Sequence, residues 1–306
     1  MIILNLDVSA KEMRRRWFPS LVVLTTLFIP LADDHHQRGY DERFDEGKPD
    51  TAGGRCSKLS ASGLVYRHYG KDVIRAFYPN LPDEQLDTAY TRLYDTLLEA
   101  LDAIDTGVEM VPDGCQLVYK DTTGLASRVG RLNPRWNEVD ANGNSPNPDE
   151  RFEEASAICG AEFLSVMTRI VESDLPAREF VEQAFMERHK TDPSGEILTF
   201  SSGGLPWRNH LYDIEKKHLK EGEPLIKFVL YQDQSGMWRV QAVTVEGQAF
   251  ENRLSLPEQW RGVRDEDLVK VSNIAGSKFV HAAGFIGGND RFEGALEMAK
   301  VALAQK

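Results

Sequence analysis

The chain has 306 residues, is 41% hydrophobic and 27% charged, and carries a formal net charge of −12. Its length suits two domains or one large one, and its composition is that of a globular protein. The acidic balance excludes a protein that grips duplex nucleic acid mainly by covering phosphates with lysine and arginine, but not an enzyme that handles phosphates through metal ions and a few arginines. Three widely spaced cysteines, Cys56, Cys115 and Cys159, without a CxxC, exclude a disulfide framework or a zinc ribbon and predict a reducing compartment.

The first thirty residues allow two readings. Lys11, Arg14, Arg15 and Arg16 precede an apolar run at 21–29, and Pro30, Leu31 and Ala32 follow. That is the outline of a secretory signal peptide across 11–32, and it is too short to span a membrane. The same Val, Leu, Thr, Phe and Ile residues also form a buried β-strand that would deliver the next segment to a site. The strand is preferred, since the odd cysteine count and the downstream sequence argue against secretion.

Residues 33–38 read Asp-Asp-His-His-Gln-Arg, with further acids at Asp41, Glu42 and Asp45. Imidazole nitrogen and carboxylate oxygen together suit Mn²⁺, Fe²⁺ or Zn²⁺, and the carboxylate also suits Mg²⁺. Adjacent histidines on an extended segment point to opposite sides, so one can ligate while the other faces a substrate. A solvated polar turn is the competing reading of the triplet.

A Gly-, Pro- and Asp-rich loop covers 45–58. A helix capped by Ser60 or Ser62 is then predicted to stop near Gly70. Residues 83–105 form the clearest helix, with Leu86, Tyr90, Leu93, Leu97, Leu101 and Ile104 spaced as one apolar face. Near its end Asp102 and Asp105 lie three apart on one side. Carboxylates there oppose the helix dipole, which a bound cation would resolve.

Arg128 and Arg131 stand among small hydroxyl residues, where they would clamp a phosphate or hold a loop to an acidic helix end. After a polar loop at 138–149, a helix with Phe152, Phe163, Met167 and Ile170 as its core stripe is predicted to break at Leu175-Pro176. A second helix then reaches His189. Strand-like runs at 225–231 and 238–245 flank a probable hairpin at 232–237. A strand at 278–281 leads into a glycine turn at 282–288, and a final helix starts near Arg291. Glycines between a strand and a helix let backbone N–H groups approach an anion.

The strings DHHQR, SKLSASGLVY, LDAIDTG, LASRVGRLNPRWN, LPAR, DPSGEI, PWRNHLY, FVLYQDQSGMWRVQAV, LPEQWRGVRD and HAAGFIGG, in that order, resemble the melanocyte-proliferating-gene family. These are DHH-type metal-dependent hydrolases and RNA exonucleases of nucleus and mitochondrion. The resemblance covers 34–306. It implies an α/β fold in which a DHH-type phosphoesterase domain at 33–190 is followed by a smaller α/β substrate domain at 191–306, with 1–32 a segment that does not match. It also implies two Mn²⁺ or Mg²⁺ ions and single-stranded RNA ends as substrate. Asp34, His35 and Asp105, or else Asp102, would be metal ligands, and His36 the catalytic residue at the scissile phosphate. Arg38, Arg128, Arg131, His281, Gly284, Gly287 and Gly288 would hold the substrate. A nuclear and mitochondrial location, with no membrane association, follows from the same likeness.

The family pattern has two further metal motifs upstream, a histidine-rich HNGxFHCDE stretch and a DVGG-type aspartate. Residues 1–32 contain neither; they hold no histidine, and Asp7 and Glu12 are their acids. The resemblance therefore predicts an N-terminally incomplete DHH domain with impaired activity. The alternative is a non-catalytic nucleic-acid-binding or scaffold protein that keeps the substrate domain.

Overall fold

The structure, a computed structural model, describes residues 43–44, 57–111, 114–139, 142–201 and 203–305. The chain divides into two compact units, Met1–Val171 and Glu172–Lys306. The expected domain boundary near residue 190 lies inside the second. Among the described residues no helix is long and apolar enough to cross a membrane.

The first unit is helical in its described part. Helix α1 (Ala61–Phe77) begins where predicted, at Ser60, whose side chain accepts the Gly63 N–H. It does not stop at Gly70. Any Cβ there would lie 2.7 Å from the Tyr66 ring, so this glycine makes room for an aromatic side chain within the helix.

The predicted helix at 83–105 is present in three continuous pieces: α2 (Asp83–Leu93), a π-helical turn (Tyr94–Leu98) and α3 (Glu99–Asp105). A π turn inserts one residue and so advances the inward face by one position. Before it, Leu86 and Leu93 are buried as the periodicity predicts. After it, Leu98 rather than Leu97 is buried, Asp102 rather than Leu101, and Ile104 is left 60% exposed.

Short helix α4 (Leu125–Gly130) leads to the long helix α5 (Pro148–Arg169). Asn147 caps α5, and proline occupies its first turn, where a missing N–H costs nothing. Phe163 and Met167 are buried, but Phe152 is exposed and does not belong to the core. Tyr66, Tyr90, Tyr94, Phe44 and Phe163 form an aromatic cluster, with Phe44 stacked on Tyr94 at a centroid distance of 3.7 Å.

The chain does not break at Leu175-Pro176. A second π turn (Ile170–Asp174) runs directly into α6 (Leu175–Met186), again with proline in the first turn, where a helix tolerates it. A single turn, α7 (Arg188–Thr191), follows.

The second unit is built on a five-stranded sheet in the order β1-β2-β3-β5-β4. The strands are β1 (Ile197–Thr199), β2 (Phe228–Gln232), β3 (Trp238–Ala242), β4 (Ser277–Val280) and β5 (Ile286–Asn289). Strand β1 runs parallel to β2, and the other pairs are antiparallel.

Side-chain alternation sends Ile197, Phe228 and Leu230 into a core with Met298, Ala295 and Ala299 of the terminal helix α10 (Phe292–Ala304). The intervening Leu198 and Val229 enter a second core with Leu211 and Ile214 of α8 (Arg208–His218) and with Val181 and Phe185 of α6. Both faces are covered, which is why the strands read as nearly continuous apolar runs. Helix α9 (Asp265–Ser272) packs beside β4 and contributes Leu268 to the first core. The fold is thus mixed α/β.

Candidate functional site

Of the predicted ligands, Asp34, His35, His36 and Arg38 lie outside the described residues. The two acids at the end of α3 are described, and they have opposite environments. Asp102 is 0% exposed. Its Oδ1 accepts the Ser60 hydroxyl at 2.5 Å and the Ser60 N–H at 3.2 Å, and its Oδ2 accepts the Tyr94 hydroxyl at 2.7 Å. Asp105, one helical turn on, is exposed.

The Asp102 site exists because several sequence choices agree. The π turn rotates Asp102 inward and supplies Tyr94 at its own first position. The carboxylate stands at the start of α1, where it accepts the Ser60 N–H and where the helix favours negative charge. Gly63 leaves the space, since a Cβ there would stand 2.1 Å from Oδ2. Burial pushes the Asp102 carboxyl above its ordinary value, and the hydrogen bonds from Ser60 and Tyr94 offset part of that rise. The Tyr94 hydroxyl is raised in turn, by burial first and by Asp102 second.

The sequence offers Asp102 as the alternative to Asp105 among the metal ligands. Its oxygens already face protein donors, and no group of three or more His, Cys, Asp or Glu residues among the described residues could hold a metal ion. Asp105 is the α3 carboxylate that faces outward, and alone it does not make a metal site. Just beyond it the helix closes, where the Asp102 carbonyl accepts both the Thr106 N–H at 2.9 Å and the Thr106 hydroxyl at 2.7 Å.

The predicted arginines hold local structure while keeping their heads exposed. Arg131 Nη1 donates to the Thr122 carbonyl at 2.9 Å, and Arg128 Nη1 lies 3.4 Å from Glu162. Sequence reasoning left open a phosphate clamp or a loop tether; Arg131 makes a loop contact, and both heads stay exposed.

The glycine turn is placed differently from the prediction. It joins two antiparallel strands, β4 and β5, and the helix begins only after β5. Gly284 is in the turn at φ +68°, a backbone conformation that favours glycine. Its N–H donates to the His281 carbonyl at 2.8 Å, and the Ala283 N–H donates to His281 Nδ1 at 3.1 Å. Those two donors are used within the turn and are not offered to an anion. His281 itself is exposed, its ring packed against Phe285 at 4.6 Å.

Gly287 and Gly288 stand inside β5, paired with β3 on one side and β4 on the other. They are glycines because of what lies above and below the sheet. A Cβ on Gly287 would be 3.0 Å from Leu256 and Met298, and one on Gly288 would be 2.7 Å from the Phe279 ring. Neither lines an open phosphate cradle.

The residue that sequence reasoning passed over is Asn289, next to this glycine pair. Fully buried, it donates to the Ala275 carbonyl at 3.0 Å and accepts the Arg291 N–H at 3.0 Å, joining β5 to the start of α10. A polar residue directly after two glycines and before a helix was the available signal.

Comparison with known proteins agrees with this chain's motif pattern. A family model named for the MYG1 exonucleases, described as "Uncharacterised protein family (UPF0160)", matches residues 32–303. The chain is 43% identical over 279 residues to a protein of Mus musculus named "MYG1 exonuclease", covering 89% of this chain and 70% of that one. It is 43% identical over 282 residues to "MYG1 protein" of Dictyostelium discoideum, covering 91% and 80%. Against "MYG1 exonuclease" of Homo sapiens it is 42% identical over 280 residues, covering 89% and 70%. No solved structure matches it. With a match that spans nearly its whole length, the chain belongs to the MYG1 family.

Proposed function

We propose that the chain is a phosphodiesterase of the DHH type that shortens single-stranded RNA from an end. The first unit would be the DHH-type domain and the second the substrate domain. Family membership carries this reading: the match begins at residue 32 and so takes in the whole Asp-Asp-His-His-Gln-Arg stretch, and the mammalian relatives are named exonucleases.

The residue roles follow from the same reading. Asp34 and His35, together with Asp105 at the exposed end of α3, would serve Mn²⁺ or Mg²⁺, and His36 would meet the scissile phosphate. Among the described residues no group of three or more His, Cys, Asp or Glu could hold such ions. Asp102 has a separate part: it fixes the helix end from which Asp105 projects. A nuclear and mitochondrial location belongs to the same proposal.

The test is an end-labelled single-stranded RNA incubated with purified chain and Mn²⁺. Progressive shortening supports the reading. Binding without shortening would favour the non-catalytic alternative, and neither binding nor shortening would remove both.

A further inference from the structure

We infer that residues 119–136 of the first unit form a stacking surface for single-stranded nucleic acid, an inference that rests on the nuclease reading and names where the strand lies. Tyr119 is 78% exposed and Trp136 is 97% exposed. Aromatic rings so exposed have no packing role in the chain that carries them.

Cations accompany them in sequence. Between residues 114 and 139 the chain has four, Lys120, Arg128, Arg131 and Arg135, against two acids, Asp121 and Glu138, whereas the whole chain carries a net charge of −12. Arg131 donates to the neutral Thr122 carbonyl, which pins the segment bearing Tyr119 and Lys120 to the end of α4. Arg135, adjacent to Trp136, shares Glu138 with Arg151.

An isolated apolar patch would suit a protein partner. Aromatic faces interleaved with cations suit a polymer that is both anionic and aromatic. Bases stack on such rings without regard to sequence, and the arginines and lysine take the phosphates. Phe250, in the second unit, shows the contrast: it is 99% exposed, but its neighbour is Glu251 and no cationic run accompanies it.

The test measures anisotropy of a labelled single-stranded oligouridine with the full chain, in EDTA. Trp136→Ala and Tyr119→Ala should each weaken binding by at least about fivefold, the low end of what one base stacked on an aromatic side chain contributes. Neither should shift the melting temperature, and Phe250→Ala should leave affinity unchanged. Unchanged affinity in both the Trp136 and Tyr119 variants overturns the inference, as does an equal loss in the Phe250 variant. So does a concentration-dependent dimer that Trp136→Ala dissolves, which would assign the surface to a second copy of the chain. If wild-type chain shortens RNA while the variants bind normally, this inference fails and the nuclease reading stands. If wild-type chain neither binds nor shortens single strands, both fail.

Discussion

The Asp102 carboxylate accepts the Ser60 hydroxyl at 2.5 Å across 42 residues of sequence, joining the end of one helix to the cap of another. Removing the acid would take from buried Ser60 and Tyr94 the carboxylate that accepts their hydroxyl hydrogen bonds. Asp102→Ala should therefore lower stability by about 2–4 kcal/mol. Asp102→Asn, which can still accept from Ser60 and donate to Tyr94, should cost about 1 kcal/mol or less. Urea unfolding of the two variants measures both.

The same pair sets a pH dependence. Burial, only partly offset by hydrogen bonds, raises the folded Asp102 carboxyl above its ordinary 3.8. A raised folded value contributes stability that is complete below the unfolded value and is lost as pH rises through the folded one. Asp102→Asn cannot ionise and lacks that loss. Its stability relative to wild type should improve as pH rises above the ordinary 3.8. A constant gap would place the carboxyl at its ordinary value.

Much of this arrangement could be read from the residues, and the limits have physical causes. The apolar spacing of Leu86 and Leu93 marks the buried face of α2, because 3.6-residue periodicity holds there. The π turn at Tyr94 then resets the phase, and no local pattern announces it, so Leu97, Leu101 and Ile104 look like core when Leu98 and Asp102 are. Helix α8 has Leu211, Tyr212 and Ile214 on its buried side but a strongly polar remainder, so no sustained apolar stripe marks it in the sequence. Gly287 and Gly288 resemble turn glycines in sequence, and only the residues stacked on either side of β5 explain them. The DHH stretch was legible as chemistry, and it lies outside the described residues.

Gly287→Val tests the strand placement. The new side chain must displace Leu256, Met298 or the Phe279 carbonyl, each 3.0–3.1 Å from where its Cβ would stand. Overpacking of this kind costs about 1–3 kcal/mol. A lowered melting temperature with nucleic-acid affinity retained in the folded fraction is expected. Lost affinity at an unchanged melting temperature would return this glycine to the substrate grip.

Glu215 and Arg253 form a buried bidentate pair, with Oε1 to Nη1 at 2.7 Å and Oε2 to Nη2 at 2.8 Å. Breaking such a pair from one side strands the other charge, so Glu215→Ala should destabilise the second unit by about 3–5 kcal/mol. Denaturant titration followed by tryptophan emission reports it.

Asp233 closes the β2–β3 hairpin by accepting from the Ser235 hydroxyl at 2.6 Å and from Arg239 Nε at 2.8 Å. The Ser235 hydroxyl first, and Arg239 with the backbone N–H groups of Met237 and Ser235, hold its carboxyl at about 2. A depressed value contributes stability above the unfolded 3.8 that is lost as pH falls toward 2. The melting-temperature gap between wild type and Asp233→Asn should accordingly be wide near pH 6 and close as pH approaches about 2.

On the proposed nuclease reading, Asp105 rather than Asp102 is the α3 carboxylate that would serve the metal ions. The most direct measurement compares Mn²⁺-dependent shortening of single-stranded RNA by wild type, Asp105→Ala and Asp102→Asn, at a temperature where all three are folded by circular dichroism. Loss of shortening in Asp105→Ala, with most of it kept in Asp102→Asn, is the predicted result. Shortening that survives Asp105→Ala and disappears in folded Asp102→Asn would contradict the account.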